Sequence, residues 1–115
     1  MKSGMVFKQG EIVIVPFPFS DLSTIKQRPV LILSKNLDNE KSEDIITCGI
    51  TSYLKDSSYS VEIENKDLIE GEIPVKSRIK IDKLFTLDKN IIKKKIGRIN
   101  ETAFNKVKKE FTKLI

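Results

Sequence analysis

A chain of 115 residues with a net charge of +5 fits one domain, spanning 1–115, and can bury about two-thirds of its unfolded surface without a metal or a disulfide. Its lone cysteine, Cys48, excludes an internal disulfide and suits a reducing cytoplasm, while the absence of histidine removes the commonest acid/base group and metal ligand at neutral pH. The longest apolar run, Ile12 to Phe19, is broken by Pro16 and Pro18 and is far short of the ~20 residues of a membrane span, and Met1 to Phe7 has no signal-peptide core, so the expectation is a soluble cytoplasmic protein.

In chain order, Ile12 to Phe17 reads as a strand whose closing prolines put that end at a sheet edge or bend, because proline cannot donate to a ladder. Asp21 to Gln27 reads as a polar loop. Val30 to Leu33 is short and continuously apolar, as in a strand buried on both sides. Ile45 to Thr51 is a further strand, with Gly49 marking a bulge or a close approach, and Glu40 to Asp44 reads as the turn leading into it. Tyr59 to Glu64 alternates, with Tyr59, Val61 and Ile63 inward. Lys66 to Gly71 is assigned one helical turn or a loop. Val75 to Phe85 alternates around Ile79 and Ile81 and loses phase at Lys83 and Leu84, a bulge signal. Lys94 to Ile99 is a last strand. Asn100 then caps an amphipathic helix in which Phe104, Val107, Phe111 and Leu114 recur every three or four residues. Five to seven short strands and a terminal helix predict a mainly β, small α+β domain: an SH3-like, strongly curved antiparallel sheet or partly open barrel with a C-terminal helix.

Charge is unevenly spread. Residues 1–60 carry 7 Lys/Arg and 7 Asp/Glu, whereas from Lys76 onward the balance is 13 to 4. A basic half fits either a solvated surface or a polyanionic partner. Lys106, Lys108, Lys109 and Lys113 on the last helix are read as favourable helix electrostatics. No carboxylate cluster suggests a two-metal nuclease. Arg28 stands out because Pro29 biases it to an extended backbone and the next strand anchors it at the sheet rim. By itself such an arginine can simply pair with a carboxylate such as Asp21. Thr51 and Ser52 end a strand, and either hydroxyl can satisfy a local backbone group.

The Gly10 to Val13 opening (Gly-Glu-Ile-Val), the Pro18-Phe19 turn, the Gln27-Arg28-Pro29-Val30 run, Ile50-Thr51-Ser52, Ile79 to Lys89 and Ile96 to Ile99 together resemble the MazF/PemK family of bacterial toxins. The likeness spans essentially the whole chain. It implies a sequence-specific endoribonuclease of a type II toxin-antitoxin pair, acting as a homodimer, silenced by a small MazE/PemI-like antitoxin with which it binds DNA, and inhibiting growth by cutting single-stranded RNA, mRNA foremost. The implied chemistry is attack by the substrate 2′-hydroxyl, leaving 2′,3′-cyclic phosphate and 5′-hydroxyl ends without a metal or other cofactor. Arg28 and Thr51 fall at the family's catalytic positions, with Ser52 the competing hydroxyl, since adjacent strand residues face opposite ways.

Some relatives carry an acidic residue close to the Arg-Pro motif; here Ser23, Thr24, Ile25 and Lys26 fill that interval and Asp21 is the acid nearby. Asp21, Ser23 and Gln27 are therefore further candidates for chemistry or RNA contact. Phosphate contacts are expected from Lys26, Lys55, Lys76, Arg78 and Lys80, and stacking from aromatics among Phe17, Phe19, Tyr53 and Tyr59, most of which also suit a core. The alternatives are a non-enzymatic gyrase poison resembling CcdB on the same scaffold, and an inactive nucleic-acid-binding barrel. The former is disfavoured because the chain ends Lys113-Leu114-Ile115 with no tryptophan.

Overall fold

The computed structural model describes residues 6–18 and 25–115, the side chains of Phe17, Pro18 and Ile25 apart. Its strands are β1 (Glu11–Pro18), β2 (Ile25–Ile32), β3 (Asp44–Thr51), β4 (Ser60–Ile63), β5 (Leu68–Gly71), β6 (Ser77–Asp88) and β7 (Lys94–Ile99). They form one antiparallel sheet in the order β4-β6-β3-β2-β1-β7-β5, curled into a half-barrel. Two helices, α1 (Asn36–Lys41) and α2 (Glu101–Leu114), complete it.

Strand alternation sorts the apolar residues onto two faces. On one, Ile12, Leu31, Cys48, Ile50, Ile79 and Ile81 pack with Ala103 and Val107 of α2. On the other, Val13, Val15, Val30, Ile32 and Ile45 pack with Phe7 and Ile92. Cross-strand partners agree: Ile12 lies opposite Leu31 and Val13 opposite Val30. Helix α2 starts as its sequence implies, the Asn100 side-chain oxygen accepting from the Ala103 N–H at 2.8 Å. It turns Ala103 and Val107 inward, with Phe104, Phe111 and Leu114 half-buried beside them.

The prolines lie where the edge signal put them. Pro16 and Pro18 pair only with β2, because the β7 ladder stops at Ile14. Three expectations are corrected. The polar loop is shorter at its far end, since β2 begins at Ile25 and holds Lys26, Gln27 and Arg28 against Phe17, Pro16 and Val15. Leu68 to Gly71 is a strand, β5, after a 3-10 turn over Asn65–Asp67; its partner β7 supplies an order that its half-exposed sequence does not advertise. Glu40 and Lys41 close α1 and do not form part of a turn. That helix buries only Asn39, whose amide donates to the carbonyls of Phe7 and Ser34 at 3.2 and 2.9 Å, so no apolar period announces it.

Candidate functional site

Arg28 and Thr51 come from adjacent strands. The β2/β3 register runs Val30 to Gly49, Leu31 to Cys48 and Ile32 to Thr47; carried two residues further, it sets Arg28 opposite Thr51. Directly opposed residues share a face, here the one bearing Val30 and Val15 rather than the one under α2. Ser52 follows the last residue of β3, in a bend, and is not among the residues that wall the cleft. Facing β3 on its far side, β6 places Lys80 opposite Gly49 and Arg78 opposite Thr51.

Gly49 marks the irregularity its sequence suggested. Leu84 pairs with Cys48 and Lys80 with Gly49, so Ile81, Asp82 and Lys83 bulge between two consecutive β3 residues. The lost phase at Lys83 therefore has a geometric meaning: the bulge brings Lys80 and Lys83 to the same cleft. A side chain at position 49 would stand over the Lys83 Cβ at 3.6 Å and the Phe85 ring at 3.7 Å, narrowing that cleft.

The cleft holds about 570 Å³ and is walled by Arg28, Thr51, Tyr53, Lys55, Lys80 and Lys83, with Gly49, Ile50 and Phe85 at its floor side and Asp56 and Ser57 on its loop side. Four cations against one carboxylate give it a net positive charge. Thr51 accepts the Tyr53 N–H at 3.1 Å, a bond that fixes the hydroxyl oxygen and leaves its proton to be donated. Tyr53 is 69% exposed, so its ring is not part of the core. The Lys80 ammonium donates to the Ser57 hydroxyl at 2.6 Å and lies 4.0 Å from Asp82.

Arg78 has a different position from the one its charge suggested. Its side chain is buried, and its guanidinium meets Asp56 at 3.3 Å, Ser60 at 3.0 Å and Glu62 at 3.2 Å. It holds Asp56 of the 52–59 loop and is not among the residues lining the cleft. Lys76 pairs with Glu62 at 3.5 Å and, like Lys26, Gln27 and Ser52, is outside the cleft wall. Phe19, Asp21 and Ser23 lie outside the described residues, as does the Phe17 side chain. Tyr59 packs against the helix-side core. Sequence reading missed Lys83, Asp56 and Ser57; the phase slip pointed to the first, while nothing local marks the other two.

Among the described residues no group of three or more Cys, Asp and Glu is arranged to hold a metal ion, and no helix is long and apolar enough to cross a membrane. A second groove of about 600 Å³ between α2 and the β3/β6 pair is lined chiefly by Leu33, Ile46, Leu84, Phe104 and Phe111. It lacks the cluster of charged groups found in the first. Cys48 is fully buried, and burial pushes its thiol up to about 12, so it takes no part in chemistry at neutral pH.

A family model described as the PemK-like, MazF-like toxin of type II toxin-antitoxin systems matches residues 8–115. Comparison with curated proteins gave no match. Among solved structures, a MazE-MazF complex from Deinococcus radiodurans superposes with a TM-score of 0.78 at 19% identity, covering 96% of each chain. An endoribonuclease from a mycobacterial species gives 0.77 at 17% identity, covering 97% of this chain and 93% of that one. A mycobacterial endoribonuclease in complex with its cognate antitoxin gives 0.74 at 20% identity, over 92% and 91%. At these identities the structural likeness speaks for the fold.

Proposed function

We propose that this chain, which belongs to the PemK-like, MazF-like family of type II toxin-antitoxin toxins, is a site-selective, metal-independent endoribonuclease acting on single-stranded RNA, mRNA foremost. The observation that carries the reading is the meeting of Arg28 and Thr51 in one cationic cleft. The substrate's 2′-hydroxyl oxygen attacks the adjacent phosphorus, the bond to the 5′ oxygen breaks, and the products are a 2′,3′-cyclic phosphate and a 5′-hydroxyl. One proton leaves the attacking hydroxyl and one reaches the departing oxygen.

Charge builds on the non-bridging oxygens as the phosphorus becomes five-coordinate. Arg28 is permanently cationic and offers a planar fork of donors to those oxygens. Thr51, its oxygen held by the Tyr53 N–H, donates to the phosphate or orients the 2′-hydroxyl. Lys55, Lys80 and Lys83 hold flanking phosphates, and Tyr53 offers a face on which a base stacks. We further propose that the protein works as a homodimer in the cytoplasm and is silenced by an antitoxin protein; the relatives solved as toxin-antitoxin complexes support the last of these.

The test is to incubate the purified protein with a long single-stranded RNA in EDTA and to map the fragment ends. Discrete cuts with 5′-hydroxyls are expected, and a deoxynucleotide placed 5′ to the cut should block that cut. Cleavage of the deoxy substrate would mean that another nucleophile acts.

A further inference from the structure

Resting on the ribonuclease reading above, we propose that Asp56, clamped by the buried Arg78, is a specificity-determining residue that reads the Watson–Crick edge of a guanine lying beside the scissile phosphate. The cleft that gathers Arg28, Lys55, Lys80 and Lys83 also presents this one carboxylate among its described lining residues. For binding phosphate alone a carboxylate is counterproductive, since it repels the backbone that the four cations attract.

Arg78 and Lys76 together meet two carboxylates, Glu62 and Asp56, and charge balance alone does not say why the second of these stands on an exposed loop at the cleft. Glu62 lies opposite Arg78 in the β4/β6 ladder and meets its guanidinium at 3.2 Å. Asp56 is thus a second carboxylate on one guanidinium, reached from a loop 22 residues away at 3.3 Å. The two partners differ sharply in burial: the Arg78 side chain is 9% exposed and that of Asp56 92%. An ordinary surface pair would leave the carboxylate free to swing. Here one partner is immobilised by Ser60 and Glu62 as well, and its Nε has no partner among the described residues. Its Nη1 reaches the loop carboxylate while Nη2 is held by β4.

An ionised carboxylate only accepts, so it selects base edges that donate. Single-stranded RNA exposes its Watson–Crick edges to such reading. Guanine alone sets two donors side by side there, N1–H and the 2-amino group, matching the two oxygens of a carboxylate. Uracil offers one donor between two carbonyls, which the carboxylate repels, while adenine and cytosine each set one donor beside an acceptor. The Asp56 oxygen engaged by Arg78 keeps a second lone pair for the base. Three residues earlier, Tyr53 lines the same cleft and supplies a stacking face for that base. Arg78 acts through Asp56 as a positioning residue.

The test compares cut sites across a long RNA for the wild type, Asp56→Asn, Arg78→Lys and the double variant, each confirmed folded by circular dichroism. Guanine should be enriched at one position of the wild-type sites. Asp56→Asn should lower kcat/KM at those sites at least tenfold without lowering it at sites bearing other bases there, and inosine, lacking the 2-amino group, should weaken cutting by the wild type but not by Asp56→Asn. Arg78→Lys should shift the preference the same way, and the double variant should add nothing. Because Asp56 is exposed, Asp56→Asn decides the matter even if Arg78→Lys does not fold. An unchanged cut pattern in Asp56→Asn, or a uniform loss at every site, overturns the assignment while leaving the ribonuclease reading in place. A wild-type protein that cuts no RNA overturns both.

Discussion

Replacing Arg28 separates chemistry from folding, because the residue is exposed midway along β2, whose fully buried positions begin at Val30. An exposed side chain of this kind changes stability by about 0.5 kcal/mol or less, so Arg28→Ala should melt within a few degrees of the wild type. Its effect on the reaction is of another order. Removing one preorganised donor from a developing oxyanion costs about 10²–10³ in kcat, or roughly 3–4 kcal/mol, and a guanidinium supplies both a charge and a fork. The expected loss for Arg28→Ala is therefore at least about 10³-fold in single-turnover cleavage. Arg28→Lys, which keeps a point charge but not the planar geometry, should fall between, roughly 10- to 100-fold down. The assay is single-turnover cutting of a short end-labelled RNA that contains one mapped site, at saturating enzyme, beside a thermal melt. Arg28→Ala that cuts within tenfold of the wild-type rate while melting normally would refute the assigned role, and equal rates for the lysine and alanine variants would refute the contribution of the fork.

Thr51→Ala should lose roughly 10–100-fold in the same assay, the scale of one positioning hydrogen bond in a transition state, while Ser52→Ala stays within threefold; the reverse order would transfer the assigned role from Thr51 to Ser52. Gly71→Ala should destabilise by about 3 kcal/mol or more, seen as a drop of roughly 10 °C in Tm, because Gly71 has φ +70° and an added Cβ would stand 2.1 Å from the Ile96 carbonyl oxygen; a melt unchanged within 2 °C would contradict the β5/β7 pairing. Cys48 should resist iodoacetamide at pH 8 until the chain is unfolded, being fully buried with its thiol raised from 9.0 to about 12. Since the unfolded thiol loses its proton first, its contribution to stability is intact below pH 9 and is lost as pH rises from there toward about 12. Cys48→Ala should flatten that alkaline decline, and an identical decline in both proteins would reject the linkage.

What the sequence disclosed and what it withheld follow from where order originates. Strands with a buried face write their own period: Val61 and Ile63, Ile79 and Ile81, and the apolar side of α2 are legible because water sorts them residue by residue. Elements held by polar contacts leave no such trace. Helix α1 exists around one buried amide, Asn39, and β5 around backbone pairing with β7, so neither repeats an apolar signal. The cleft divides in the same manner. Arg28 and Thr51 could be proposed from their motifs, but their juxtaposition depends on the β2/β3 register, and register is a property of two segments rather than one. The Arg78 brace is further from view, since it joins a β6 residue to a loop carboxylate and a β4 carboxylate. In composition the three charges are indistinguishable from a solvated surface; in space a buried cation holds a loop carboxylate. The bulge in β6 lies between these extremes. A slip in alternation at Lys83 reported that something irregular occurs there, while the pairings on either side, Lys80 with Gly49 and Leu84 with Cys48, explain what it achieves. Three residues taken out of the ladder bring two lysines of one strand to a single cleft opposite a residue with no side chain. A regular ladder would have sent Lys83 to the opposite face from Lys80, leaving the cleft one cation poorer.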